Sequence, residues 1–220
     1  MTSPAWSFSG IKQFQHCPKQ YYHYRVAKDV KEDKTTTDYG TLFHTAAEEY
    51  IRDGKALPPA FMYAKEALDW LKALPGEKHC EYKMAITEGF EPVAFFNNQA
   101  WLRTVADLLV VNGDKAYILD YKTGKSAKYA DTGQLELMTL TVFKFFPEVK
   151  QIKAGLLFVL ANAFVKDKFS RQDEPKLWEK WLVEYKKMVA AYIHDRWNPK
   201  QSGLCKKHCA VLECPHNGRN

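Results

Sequence analysis

The 220-residue chain has no long hydrophobic run. Its longest apolar stretch, around Ala154–Ala163, is about ten residues, against the ~20 that a membrane-spanning helix needs. It also has no internal repeat, no low-complexity tract and no G-x-x-x-x-G-K-S/T loop, which excludes a solenoid and a P-loop helicase. The opening residues Met1-Thr2-Ser3-Pro4-Ala5-Trp6 lack the basic start and apolar core of a secretory leader. The expected location is therefore the cytoplasm, or a host's cytoplasm for a viral protein, with no membrane partner. Cysteine is scarce and odd in number, at five, which argues against a disulfide framework and for metal or cluster ligation. Acidic residues are the minority, 26 against 32 Lys+Arg, and the net charge of +6 suits a polyanionic partner. With 46% hydrophobic and 14% aromatic residues the chain can bury a core, so it is neither a disordered tail nor a collagen-like rod.

The periodicity changes along the chain. Ser7 and Ser9 can cap a helix over about Gly10–Arg25, and the charged segment 26–38 reads as a loop. Helical spacing of Leu42, Phe43, Ala46, Ala47 and Tyr50 predicts a second helix, Tyr39–Asp53, and a third runs from Pro59 to Leu74. Strands follow over Cys80–Thr87, Glu91–Phe96 and Trp101–Val111. Asn112-Gly113 is the strongest hairpin signal, with Lys115–Lys122 as the returning strand. A helix over Thr132–Phe146 leads to an apolar strand, Ile152–Ala161, and Glu174–Trp197 forms a long amphipathic helix. The pattern predicts an α/β protein with a mixed central β-sheet flanked by helices. The expected organisation is one domain, 1–220, with an N-terminal helical part (1–75), a sheet and crossover helix (76–165), and a C-terminal helix with a cysteine-rich tail (166–220).

Two aspartates stand where apolar residues belong. Asp107 sits in Val105-Ala106-Asp107-Leu108-Leu109, and Asp120 in Ile118-Leu119-Asp120-Tyr121-Lys122. A lone buried carboxylate costs several kcal/mol unless something positive compensates it. Strand alternation points Asp120 and Lys122 to one face and Leu119 and Tyr121 to the other. The hairpin brings Asp107 within a residue or two of the position facing Asp120. One reading is a buried ion triad. The other is a divalent metal site, because two carboxylates, a backbone carbonyl and waters make the hard oxygen shell of Mg²⁺ or Mn²⁺.

Asp107, followed thirteen residues later by Asp120-Tyr121-Lys122-Thr123-Gly124, resembles the core motif of the PD-(D/E)XK nuclease superfamily, and the D-Y-K-T-G form is similar to its RecB-like branch. Gly40-Thr41-Leu42-Phe43-His44 resembles that branch's histidine-bearing helix. Glu81 stands where the branch often has an acidic residue, and Gln134-Leu135 opens the helix after the lysine as in its Q-L-x-x-Y signature, with Met138 in place of the tyrosine. The resemblance implies a restriction-endonuclease-like core. It also implies that His44, Asp107, Asp120, the Tyr121 backbone carbonyl and Glu81 hold Mn²⁺ or Mg²⁺, while Lys122 and Gln134 serve the attacking water and Asp107 and Asp120 count among the catalytic residues. An imidazole in the shell favours Mn²⁺ somewhat.

Cys205, Cys209 and Cys214 crowd the tail, and Cys17-Pro18 on the first helix is the natural fourth thiol. One early cysteine with a late trio is similar to the iron–sulfur staple of RecB-like proteins that include the CRISPR-associated four-cysteine exonucleases and the AddB subunit. It implies a 4Fe-4S cluster tying the two ends together. Structural Zn²⁺, with His208 or His216 as a possible ligand, is the competing occupant. Cys80 reads as a strand residue facing the core.

Lys12, Lys19 and Arg25 cluster on the first helix among tyrosines, and Lys125 and Lys128 follow Lys122. Together they are candidates for a phosphate-backbone track with little sequence specificity. The expected activity is a metal-dependent DNA exonuclease acting on single strands or duplex ends in recombination, repair or viral DNA processing, with a recombinase, helicase or integrase as a possible partner. The rivals are a spacer-processing nuclease of CRISPR adaptation and a non-catalytic DNA-binding scaffold of the same fold.

Overall fold

A computed structural model describes residues 4–31 and 37–219, so 32–36 of the charged segment lie outside it. The chain divides into two compact units, one made of Met1–Lys34 and Glu179–Asn220 and the other of Thr35–Trp178.

The second unit is a six-stranded sheet with helices on it. Helix α3 (Thr37–Arg52), a 3₁₀ turn (Pro59–Ala64) and helix α4 (Lys65–Lys72) precede strands β1 (Glu77–Ile86), β2 (Pro92–Val93), β3 (Leu102–Asn112) and β4 (Lys115–Lys122). Helix α5 (Gly133–Phe145) crosses over to β5 (Gln151–Phe158), and β6 (Ala163–Ser170) forms the far edge. The strand order is β2-β1-β3-β4-β5-β6, antiparallel throughout except for the β4–β5 pair that α5 connects. This is the mixed, helix-flanked sheet that the periodicity predicts.

Particular residues set these boundaries. The hairpin loop is Gly113-Asp114, with Asn112 pairing Lys115 and Gly113 at φ 60, which suits a glycine at the first position of a type II′ turn. Helix α5 is apolar nearly all round and correspondingly buried, from Leu135 through Phe143. On the other layer, Phe43, Ala47 and Ile51 of α3 and Leu68 and Leu71 of α4 pack with Leu108, Val110, Leu119, Tyr121 and Leu157 of the sheet. Gly155 of β5 lies beneath the Phe164 ring of β6, and a Cβ there would come within 2.0 Å of the ring.

In the first unit, Ser7 caps helix α1 (Phe8–His16) by accepting the Gly10 N–H at 3.3 Å. The single helix expected over Gly10–Arg25 is broken. Cys17 is extended at φ −159, and Pro18 starts a separate turn, α2 (Pro18–Tyr21), followed by a π-helical turn over Tyr22–Ala27. The cause is local, since proline disfavours helical backbone in the residue before it. Helix α6 (Glu174–His194) ends three residues earlier than expected, and Trp197 instead stacks on Tyr21. Two further expectations are corrected in the second unit. The strand over Glu91–Phe96 is reduced to Pro92–Val93, because Pro92 has no N–H to give a ladder and turns follow. Strand β6 was not anticipated, since Lys166-Asp167-Lys168 gives it the polarity of a loop.

Candidate active site

The site forms where two neighbouring strands break step together. His79 and Tyr82 of β1, three residues apart, both lay their rings against the end of α5, on Phe146. Cys80 between them packs on the α3–α4 side. Opposite, Leu108 and Val110 of β3 face the α3–α4 cluster, yet Thr104, of the same parity, meets Thr141 of α5 at 2.7 Å. The pairing runs Cys80↔Leu108 and Tyr82↔Ala106, so the missed beat falls on Glu81 and Asp107, facing each other. Glu81 has left-handed backbone at φ 46, a conformation that costs a non-glycine residue on the order of 1–3 kcal/mol and clusters at functional sites.

This irregularity brings both carboxylates to α3. His44 Nδ1 lies 3.2 Å from Asp107 Oδ1 and 3.6 Å from Glu81 Oε1. One ligand atom from each of His44, Glu81 and Asp107 falls within 4.8 Å of the others. His44 and Glu81 open onto a cleft of about 760 Å³, walled also by Gly40, Thr41, Thr45 and Glu48 of α3, Cys80 and Lys83 of β1 and Thr123 beyond β4, with Asp107 buried behind them. Gly40, near the start of α3, lies against Thr123 on the chain leaving β4, where a Cβ would sit 3.4 Å from Thr123 Oγ1. Two segments eighty residues apart thereby share one wall.

Asp120, Lys122 and Gln134 make a second, adjoining group. Lys122 Nζ lies 2.6 Å from Asp120 Oδ2 and donates to Gln134 Oε1 at 2.9 Å. Gln134 Nε2 in turn donates to Asp120 Oδ1, which fixes which way its amide points. The strand pairing of β3 with β4 extends to Leu108↔Leu119, and Asp107 and Asp120 are the next pair outward. There the Tyr121 N–H bonds to Asp107 Oδ2. The Tyr121 ring points to the opposite layer, edge-on to Phe43, as alternation predicts. Asp120 stands outside the close His44–Glu81–Asp107 set.

The electrostatics favour a cation. Burial pushes the Asp120 carboxyl up, and the charge of Asp107 adds to it, against the pull of Lys122 and His44. Burial opposes charge on His44, but hydrogen bonds to Asp107 and Glu81 and their charges outweigh it and push the imidazole up to about 10. A proton thus holds the place between the carboxylates. Asp120 Oδ2 is buried against the Lys122 ammonium, 2.6 Å away. One imidazole nitrogen and several carboxylate oxygens fit Mn²⁺ or Mg²⁺. Met138 is 1% exposed, so the side chain at the signature's tyrosine position packs in the core and reaches no substrate.

The cysteines lie in the first unit, apart from Cys80. None of the five is in a disulfide. The Cys17 sulfur accepts the Lys200 N–H at 3.4 Å, and the Cys205 sulfur accepts the Ser202 N–H at 3.3 Å. Gln20, on the turn that Cys17 opens, points its amide at the Cys209 sulfur at 3.9 Å. The tail has no periodicity but is held by Asn217, whose side chain donates to the carbonyls of Cys209 and Val211. Three of the four thiols, Cys17, Cys205 and Cys209, have N–H donors beside them, which fits a thiolate-held group, since such hydrogen bonds stabilise ligating sulfurs.

Of the basic candidates, Lys12 lines a cleft of about 600 Å³ in the first unit with His16, Glu184, Lys187 and Lys200. Arg25 donates to Gln13 at 2.7 Å, and Lys19 lies on α2. Lys125 and Lys128 belong to the second unit, with Lys128 over the Tyr129 ring. No described helix is long and apolar enough to cross a membrane.

A paired-carboxylate and lysine centre on this mixed sheet defines a restriction-endonuclease-like nuclease fold. Residues 5–214 match the PD-(D/E)XK nuclease superfamily, and the chain belongs to that family. A solved structure named "Putative exonuclease", from Eubacterium rectale, is 13% identical, covering 96% of this chain and 90% of that one at a TM-score of 0.59. Another, of SSO0001, is 13% identical over 99% of this chain and 88% of that one, at a TM-score of 0.43. No curated protein matches the chain.

Proposed function

We propose that the chain is a divalent-metal-dependent DNA exonuclease of the RecB-like branch, with residues 1–220 acting as one nuclease domain. The observation that carries this reading is the convergence of His44, Glu81 and Asp107 within 4.8 Å, beside a buried Asp120 paired with Lys122. His44, Glu81, Asp107, Asp120 and the Tyr121 carbonyl would hold Mn²⁺ or Mg²⁺. Bound there, the ion supplies an acidified water and offsets charge on the scissile phosphate.

The chain's own residues do the rest. Asp107 is anchored by the Tyr121 N–H, which aims its second oxygen at His44 and the cleft. Lys122 places an ammonium beside Asp120, where it can hold the attacking water in line and meet negative charge growing on the phosphate. Gln134 binds both and keeps them in register. Water adds at phosphorus, the P–O3′ bond breaks, and the products carry a 5′-phosphate and a 3′-hydroxyl. The resemblance supports action at DNA ends in recombination, repair or viral DNA processing, in the cytoplasm, with unwinding or integration supplied by a partner. Cys17, Cys205, Cys209 and Cys214 would hold a 4Fe-4S cluster, with structural Zn²⁺ as the competing occupant.

End-labelled single- and double-stranded DNA, incubated with Mn²⁺, Mg²⁺ or EDTA, tests the reading. Stepwise shortening that needs the ion and falls more than ~10²-fold in Asp120→Ala and Lys122→Ala is expected, beyond the 10–100-fold typical of outer-shell changes. Cutting that persists unchanged in both variants would refute it.

A further inference from the structure

Beyond Glu81 and Asp107, the same two strands carry a row of side chains that the chemistry above does not use. Past the missed beat, even-numbered residues such as Tyr82 and Thr104 face α5, so Lys83, Arg103 and Val105 face away from it. The pairings Lys83↔Val105 and Ala85↔Arg103 put them side by side on one surface. Lys83 lines the cleft next to Glu81, and its ammonium has no ion pair or hydrogen bond among the described residues. Among the described residues Arg103 likewise has no carboxylate partner. Its Nε is buried with no hydrogen bond, and a single Nη2 contact reaches the Asn97 carbonyl at 3.4 Å. Its guanidinium lies over the Phe95 ring, 5.7 Å from the centroid.

The row ends in the half-buried Phe95 and the exposed Phe96. Phe96 is 81% exposed, a large apolar ring displayed to solvent at the tip of the loop between β2 and β3. The loop is braced from within. Asn97 N–H bonds to Ala94 O at 2.8 Å, Gln99 N–H to the Asn97 side chain at 2.8 Å, and Trp101 N–H to Ile86 O at 2.8 Å. A fixed turn presenting a bare aromatic beside uncompensated cations is what a single strand of nucleic acid recognises, with phosphates on the cations and a base stacked on the ring. From Asp107 to Arg103 the strand runs about 14 Å at ~3.4 Å per residue. Stacked nucleotides advance about 3.4 Å each, so the row spans about four.

We infer that Lys83, Arg103 and the Phe95–Phe96 turn form the track for a single strand of DNA leading away from the scissile phosphate. The inference rests on the nuclease reading and deepens it by naming the substrate's form. Lys83 contacts the phosphate next to the reacting one, Arg103 a phosphate further along, and Phe96 stacks a base about four nucleotides from the cut.

Anisotropy of fluorescent oligonucleotides of two to twelve nucleotides, measured on the full chain with Ca²⁺ in place of Mn²⁺, tests it, together with cleavage kinetics in Mn²⁺. Phe96→Ala, at an exposed position that should leave folding intact, is expected to weaken binding of a ten-nucleotide strand roughly tenfold. It should raise KM without changing kcat and leave a dinucleotide unaffected. Lys83→Ala is expected to flatten the dependence of log Kd on log salt by about 0.7, one phosphate contact on a single strand, whereas Lys168→Ala on β6 should not. If wild type cuts DNA while Phe96→Ala and Lys83→Ala bind and cut long strands as it does, the track is overturned and the nuclease reading stands. Phe96 would then be a contact for another protein. Wild type that neither binds nor cuts DNA would overturn both.

Discussion

The two clusters of candidate ligands are built on opposite plans. In the second unit, His44, Glu81 and Asp107 are set by a helix and two paired strands, and Asp107 is fixed by the Tyr121 backbone. Against burial, the charges of Asp107 and Glu81 and their hydrogen bonds to His44 hold its imidazole well above the usual range. In the first unit, Cys205, Cys209 and Cys214 lie on turns, tied down by Asn217 and a few N–H···S contacts. The carboxylate centre is thus held by helix and strand packing, whereas the tail rests on the buried Val211 and Asn217 and on turn contacts. Ion removal should therefore silence one unit and unfold the other.

The largest effect sharpens this contrast. Cys17→Ser or Cys214→Ser should cost the first unit several kcal/mol, a fall of ~20 °C or more in its melting, because ligand binding there is folding energy. Hydrogen exchange should show amides of residues 198–219 losing protection while those of β3 and β4 keep theirs. Equal loss in both units would break the contrast. A smaller effect is expected at the edge of the carboxylate centre. Gln134→Ala removes the amide bridging Asp120 and Lys122, and should lower kcat 10–100-fold with stability unchanged to within ~1 kcal/mol. Unfolding instead of slow catalysis would show that the bridge is structural.

Legibility in the sequence followed local chemistry. Strand β4 was readable residue for residue, because Asn112-Gly113 fixes its start and Thr123-Gly124 its end. The facing of Asp120 against Tyr121 followed from alternation. Alternation failed at Glu81 and Asp107, since nothing in Cys80-Glu81-Tyr82 announces left-handed backbone at a glutamate. That lapse decides which carboxylates meet His44, and it also turns Lys83 to the cleft and Arg103 away from α5. The helix break at Cys17 was signalled by Pro18, whereas β6 was hidden because an edge strand can carry lysines.

Titration of the metal-free protein with Mn²⁺ is the most direct test of the carboxylate centre. His44 is raised from its ordinary 6.5 to about 10, so it is protonated at pH 7.5 and must release that proton to ligate. The sign follows from the same shift. His44 stabilises the ion-free fold fully below about 6.5, and that contribution is lost as pH rises through about 10, while metal affinity rises over the same window. Calorimetry in buffers of different ionisation enthalpy should find an ion bound with release of about one proton at pH 7.5, and Asp107→Ala should abolish both. Binding without proton release, or undiminished binding in Asp107→Ala, would contradict the account.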